Sequence, residues 1–481
     1  MHETAPESQR PEAPASPPNG GEAADHASRR RTGGEQTVLV LYCALLLVLV
    51  WVYLSVPVGF EEQWAGPSRL PDSSVRVSRL FREAYGAPAL PLSPNGFRTA
   101  HAVVLLAVWG VYALLMRTFS RGGGGRKALV IAATAIIMLA PPVLSTDVYY
   151  YGATGWSAYR FGGNPHVQPP ESIPSSQLLP YVYWTDFPSP YGPVWTALST
   201  AVAGATGDDP FRSAMGFKAA ATGSMLLSAW LVYLVARRLA PEQAARAAAL
   251  FALNPLVLLE SAGNAHNDAL VALLLAATAW ALCRGASALG LAGVVVAALV
   301  KLTVLPVLPL YVASRLSVGS MSERLRRLAL IGAACITLAA LTYAPYWEGI
   351  ATLRPLAGQP LGGVQGLAPV LVYRAVWAVS NEPTGELAAR VFTVAAVAAL
   401  GAWMLATAYS YYRRPGEVSA RREIADWGAL LVLLPILFIR SYPWYVVPGL
   451  ALLAAVYPYR ARWTHAAYAL TALWFIVRNG F

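Results

Sequence analysis

An acidic residue followed closely by three tyrosines, Asp147-Val148-Tyr149-Tyr150-Tyr151, stands directly after an apolar run that ends near Ser145. A carboxylate at the end of a membrane helix is partly stripped of water, which suits it to taking a proton from a hydroxyl. The segment continues through Gly163-Asn164-Pro165-His166 to Ser189-Pro190-Tyr191-Gly192-Pro193, where Pro193 suits the first turn of a new helix. A second polar knot, running from Glu260 through Gly263-Asn264-Ala265-His266 to Asn267-Asp268, separates two apolar runs. Ionisable side chains at such a turn are costly unless paired or functional. Asn267 and Asp268 also read as the N-cap of the helix that follows. Cations complete the set: Lys301, Arg440 at the head of Arg440-Ser441-Tyr442-Pro443-Trp444-Tyr445, and Arg374 in a later loop. An arginine forks onto phosphate oxygens, while aromatics such as Trp444 and Tyr445 anchor at headgroup depth or stack on a sugar. A lysine at a membrane boundary also snorkels to the headgroups.

The elements that must carry these residues are apolar helices. The chain has 481 residues, 56% hydrophobic and 13% charged, with a mean hydropathy of +0.47. Soluble domains carry roughly 25% charged residues, so a soluble enzyme, a nucleic-acid binder and a disordered scaffold are excluded. Residues 1–36 are rich in Pro, Gly, Ala, Glu and Ser and read as a disordered cytoplasmic tail. Residues 37–481 form the transmembrane unit. Apolar runs lie near 37–58, 98–117, 127–145, 213–236, 246–262, 268–283, 286–300, 302–314, 327–345, 387–411, 425–439, 445–458 and 464–478. Without ten-residue alternation they are helices, which predicts an all-α polytopic protein with about thirteen spans.

Charge fixes the direction of the spans. The formal charge of +11 is gathered in clusters such as Arg29-Arg30-Arg31, Arg126-Lys127, Arg237-Arg238, Arg324/Arg326/Arg327, Arg413-Arg414 and Arg421-Arg422, the pattern of cytoplasmic loops. Residues 191–206 are apolar, yet at 1.5 Å per residue they reach only about 24 Å. Laid on the outer surface, that helix keeps every later cluster inside, and residues 145–212 become one long extracytoplasmic loop. The chain then starts inside and ends outside. The first outer loop (59–97) places Arg69, Arg76, Arg79 and Arg82 where they line one helical face. The later loop (346–386) contains GQPLGGVQG, which predicts a mobile segment. Cys43, Cys283 and Cys335 show neither a disulfide framework nor zinc-ligand spacing.

The order D-x-x-x-Y, G-x-N-P and Y-x-P, carried here by Asp147, Tyr151, Gly163-Asn164-Pro165 and Tyr191-Gly192-Pro193, resembles the first outer loop of GT-C class glycosyltransferases that use polyprenyl-phosphate sugars. The likeness is closest to the bacterial α-mannosyltransferase-like branch that uses polyprenyl-phosphomannose. The tyrosine usual after Asn-Pro is replaced by His166. The second knot resembles that family's G-x-x-H-N-D turn, and the family also has a lysine before a Pro-rich helix and a P-W-Y motif near its C-terminal helices. The likeness covers roughly residues 100–460.

The resemblance implies a multi-pass glycosyltransferase of the bacterial plasma membrane, with surface helices in an extracytoplasmic catalytic loop. A sugar, mannose by this likeness, moves from a polyprenyl-phosphate donor to a glycan or glycolipid acceptor with inversion at C1. Asp147 is the expected base, and Lys301, Arg440 and Arg374 hold the donor phosphate. Tyr151, Asn164, His166, Tyr191, His266, Asn267, Asp268, Trp444 and Tyr445 bind acceptor or sugar. No cofactor is required, although Asp147 and Asp268 could share a divalent cation such as Mg or Mn. The partners are the lipid donor, the acceptor and the bilayer, with no nucleic acid. The competing reading is a transporter or flippase of lipid-linked sugars. It lacks a visible internal repeat, and the candidate residues gather at one face rather than mid-bilayer.

Overall fold

The computed structural model describes residues 20–58, 73–118, 125–357 and 363–479. It is 79% helical, with no strand among the described residues. In chain order the helices are α1 (Gly20–Tyr53), α2 (Ser73–Tyr85), α3 (Pro94–Thr118), α4 (Gly125–Met138), α5 (Asp147–Phe161), α6 (Pro193–Thr206) and α7 (Pro210–Leu239). Next come α8 (Ala244–Ala252) and the short α9 (Pro255–Val257), which runs into a π-helical turn over Leu258–Gly263. The remainder are α10 (Asp268–Cys283), α11 (Ser287–Val300), α12 (Val307–Leu316), α13 (Met321–Tyr343), α14 (Leu367–Trp377) and α15 (Glu382–Arg413). The chain closes with α16 (Ala420–Leu437), α17 (Val447–Ala455) and α18 (Ala461–Asn479).

Five helices are long and apolar enough to cross a bilayer, and a sixth crossing is bent by 52° between residues 252 and 255. The protein is therefore an all-α polytopic membrane protein. Each expected span has a helix, but several, such as α11 and α12, are shorter than the hydrocarbon core requires. The α1 helix begins inside the segment expected as a tail, of which residues 1–19 lie outside the described residues. So do Arg69 and residues 358–362 of the expected mobile segment. Beyond that segment the chain is helical again in α14, so its loop is shorter than the sequence suggests.

The loop after α4 contains two helices where the sequence suggests one. The α6 helix starts at Pro193, as its first-turn proline predicts. The α5 helix escapes an apolar scan because tyrosines and glycines fill it, yet most of its residues are buried against α6 and α7. Both are about 21–23 Å long at 1.5 Å per residue, too short to cross. They pack side by side in parallel, Tyr151 against Trp195 and Tyr159 against Gly204, which sets Asp147 and Tyr191 together at one end of the bundle. Gly155 allows the two helices to approach, because a Cβ there would overlap the Ser199 carbonyl.

The bend between α8 and α9 has a specific chemical cause. Pro255 has no N–H to donate, and the Val257 N–H turns to the side chain of Asn254 at 3.2 Å. The carbonyls left over are met from other helices: Tyr112 of α3 donates to Leu250 O at 2.7 Å and Tyr42 of α1 to Leu253 O at 2.5 Å. Lys218, buried in α7, donates its ammonium to the carbonyls of Ala140 and Gly263, tying the end of α4 to the end of the π-helical turn. In a membrane each such backbone group must be satisfied within the protein. The broken helix is thus held as a fixed corner.

The basic clusters collect at the other end of the bundle. Arg315 pairs with Glu423 at 2.6 Å, Arg460 with Asp426 at 2.7 Å, and Arg421 donates to the carbonyl of Leu239 at the end of α7. In the segment before α3, Arg76 and Arg79 of α2 are exposed, and Arg76 donates to Pro180 O at 3.2 Å. Gly155→Ala should force α5 and α6 apart at a cost of about 1–3 kcal/mol, read as a lower thermal midpoint in detergent. Gly223→Ala, where a Cβ meets nothing within 4 Å, should leave that midpoint unchanged or raise it. Equal midpoints for both variants would refute the packing role of Gly155.

Candidate functional site

Helix ends supply the groups at this end of the bundle. Asp147 is the first residue of α5, where the positive end of the helix favours a carboxylate. Its own N–H donates to Ser145 Oγ at 3.3 Å. Tyr151, one turn on, donates to Asp147 Oδ2 at 3.5 Å, and Tyr191 donates to the same oxygen at 3.3 Å. Tyr191 is placed by its neighbour Gly192, whose N–H donates to Val300 O at 3.0 Å and whose missing side chain lets the loop press on the Leu299 carbonyl. His266 Nδ1 stands 3.7 Å from the same Oδ2. These contacts converge on Oδ2 and leave Oδ1 without a protein donor among the described residues, on a side chain that is 16% exposed.

The turn that carries His266 has an unusual backbone. It leaves a π-helical turn, a feature frequent at functional sites, and Ala265 sits at φ 61°, which costs a non-glycine residue about 1–3 kcal/mol. The strain delivers a buried imidazole whose Nε2 lies 3.3 Å from Glu260 Oε2, while Asn264 Nδ2 donates to Glu260 Oε2 at 3.0 Å. Neither ring nitrogen makes a well-directed hydrogen bond. Burial keeps the ring neutral, its pKa pushed down to about 4, with Asp147 and Asp268 pulling the other way.

Aromatic rings clamp the imidazole. Trp444 stacks on His266 at 3.8 Å and 10°, and Tyr442 stacks on Trp444 at 4.6 Å and 8°. The indole is sandwiched between them, so Trp444 is a wall of the site and not the sugar platform expected from its sequence motif. The column ends in Arg478, whose guanidinium lies 4.6 Å over the Tyr442 ring and donates to Gln365 Oε1. A ring face and an amide oxygen hold this cation. Glu260 and Asp147 act on it at longer range.

Beside the column, Lys301 follows α11 and meets the first residue of α10. Its ammonium lies 2.6 Å from Asp268 Oδ2, 3.4 Å from Asn267 Oδ1 and 3.7 Å over the Tyr445 ring. Asn267 makes no side-chain cap; its oxygen faces the lysine instead. Asp268 is likewise a partner of Lys301 rather than a free ligand. Among the described residues no group of three or more His, Cys, Asp or Glu side chains is placed to hold a metal ion.

The structure thus brings together Asp147, Tyr151, Tyr191, His266, Asn267, Asp268, Lys301, Trp444 and Tyr445 of the expected set. Asn164 and His166 serve elsewhere. Asn164 donates to Tyr346 O at 2.7 Å and Glu348 Oε1 at 2.9 Å, and His166 Nε2 lies 3.1 Å from Thr196 Oγ1. Asn164 clamps the loop after α5 to the segment after α13, His166 holds it to α6, and burial pushes the His166 pKa down to about 4. Arg374 on α14 and Arg440 are exposed. Sequence reading placed Glu260 in the second polar knot without giving it a role, and overlooked Arg478. The signal for both was an ionisable residue within an otherwise apolar helical run.

Residues 92–317 match a family described as alpha-(1->6)-mannopyranosyltransferase, N-terminal domain. This stretch carries Asp147, Tyr151, Tyr191, the 264–268 turn and Lys301. The chain is also similar to alpha-(1->6)-mannopyranosyltransferase B of Corynebacterium glutamicum, 26% identical over 350 residues, which are 65% of this chain and 56% of that protein. The match spans little more than half the length of that relative. The polytopic helical fold, the paired loop helices and these likenesses agree with the GT-C-like mannosyltransferase resemblance read from the motifs.

The buried pair of Lys301 and Asp268 has a direct test. Lys301→Met strands a buried carboxylate and should cost about 3–5 kcal/mol, read as a lower thermal midpoint. Adding Asp268→Asn in the same chain should recover most of the loss. A Lys301→Met protein as stable as the wild type would show that the pair is not structural.

Proposed function

We propose that this chain transfers a mannosyl residue from a polyprenyl-phosphate donor to a hydroxyl of a glycan or glycolipid acceptor. The observation that carries the reading is the arrangement around Asp147: donors anchor Oδ2, and Oδ1 is left to accept a proton. The acceptor hydroxyl attacks C1 of the sugar as its proton passes to Oδ1. The C1–O bond to the lipid phosphate breaks on the opposite face, so the configuration at C1 inverts. The leaving phosphate requires a positive charge nearby. Lys301 is already balanced by Asp268, so Arg478, held by a ring face and an amide, is the better placed cation. The basic clusters at the other end of the bundle support an extracytoplasmic site in a bacterial plasma membrane.

The experiment is transfer of radiolabelled mannose from synthetic polyprenyl-phosphomannose, comparing wild type with Asp147→Asn. A general base contributes about 10²–10⁴-fold, so a correctly inserted mutant should lose activity on that scale. Undiminished transfer by the mutant would remove Asp147 from this role. Movement of the labelled lipid across vesicles without transfer would instead favour a flippase.

A further inference from the structure

We infer that Glu260 and His266 are positioning residues for Asp147, forming a relay in which a protonated Glu260 fixes the tautomer of the imidazole. This inference rests on Asp147 acting as the base. For that role its carboxylate must be ionised, so His266 must turn an N–H, not a lone pair, toward Oδ2. The nitrogen that faces Oδ2 is Nδ1, at 3.7 Å. In a neutral ring the proton on Nδ1 leaves Nε2 as an acceptor. Glu260 Oε2 stands 3.3 Å from Nε2, and a carboxyl group satisfies that lone pair only when it carries a proton. One proton on Glu260 therefore sets which edge of His266 the base meets. Separations of this kind are often long in a free site and tighten when substrate binds.

The surroundings favour this assignment. The Trp444 stack at 3.8 Å and 10° prevents the ring from turning about its own plane, and Asn264 holds Glu260 from the next helical turn. Three elements converge on Asp147: Tyr151 from α5, Tyr191 from the loop before α6, and His266. Lys301, Asp268 and Arg478 act on His266 at longer range. Around Glu260 stand His266 and Asn264, with Arg478 and Tyr53 at longer range. No proton is consumed by the relay. The acceptor proton goes to Oδ1 of Asp147, and the Glu260 proton stays between Oε2 and Nε2.

The test uses the full chain in detergent with polyprenyl-phosphomannose as donor. Glu260→Gln keeps an N–H donor for Nε2 and should retain most of the wild-type kcat. Glu260→Ala should lower kcat by about 10²-fold, the scale of a misplaced catalytic group, with the KM for donor unchanged. His266→Phe keeps the stack but removes the N–H. Loss of a hydrogen bond to the ionised carboxylate should move the acidic limb of the kcat profile, which reports the substrate-bound enzyme, upward, and His266→Gln should move it back. A purely structural residue would not shift that limb. Independently of turnover, the infrared band of a protonated carboxyl should be present in wild type and absent in Glu260→Gln.

Several results would overturn the relay: kcat in Glu260→Gln as low as in Glu260→Ala, full kcat in Glu260→Ala, or no Glu260-dependent infrared band. Inactive Asp147→Asn beside a fully active Glu260→Ala would refute the relay and leave the base in place. Full activity of Asp147→Asn would refute both.

Discussion

Charges in an apolar bundle persist only where another helix supplies their partner, and that requirement shapes the site end of this protein. Lys301 and Asp268 stand 2.6 Å apart at the ends of α11 and α10. Isolated, either would be expensive in a low-dielectric interior. Paired, they fix the ends of two helices and bring the Tyr445 ring over the ammonium. The same demand explains Lys218, whose ammonium is met by two carbonyls freed at helix ends.

Interrupted helices provide the remaining positions. One crossing bends at Asn254-Pro255, and carbonyls left free beside the break are answered by tyrosines of α1 and α3. The π-helical turn after it and the strained Ala265 bring His266 beside Asp147, although the two are far apart in the chain. Irregular backbone is tolerated within a membrane bundle only where protein surrounds it, and here it is also where the ionisable groups gather. The column from His266 through Trp444 and Tyr442 to Arg478 then joins the turn to the last helix.

Much of the site was legible from residue type. Asp147, Tyr151, Tyr191, the 264–268 turn and Lys301 stand out because polar groups are rare beside apolar runs, and the structure gathers all of them. Asn164 and His166 sit in the same loop and share its motif, yet their polar atoms hold that loop to the segment after α13 and to α6. Type and spacing do not separate these two uses. Trp444 was legible as an aromatic at the right depth, but both its faces are covered, a property of neighbours and not of the residue.

The sequence by itself determined the helical membrane architecture and the separation of basic clusters from the polar knots. These follow from hydropathy and charge, which add up locally along the chain. Only the tertiary structure decided that Lys301 answers Asp268, that Glu260 faces His266 and that Arg478 closes the aromatic column. Such pairings depend on side-chain separations of 2.6 to 4.6 Å set by the path of the backbone and by neighbouring helices, and no local sum of residue properties encodes them.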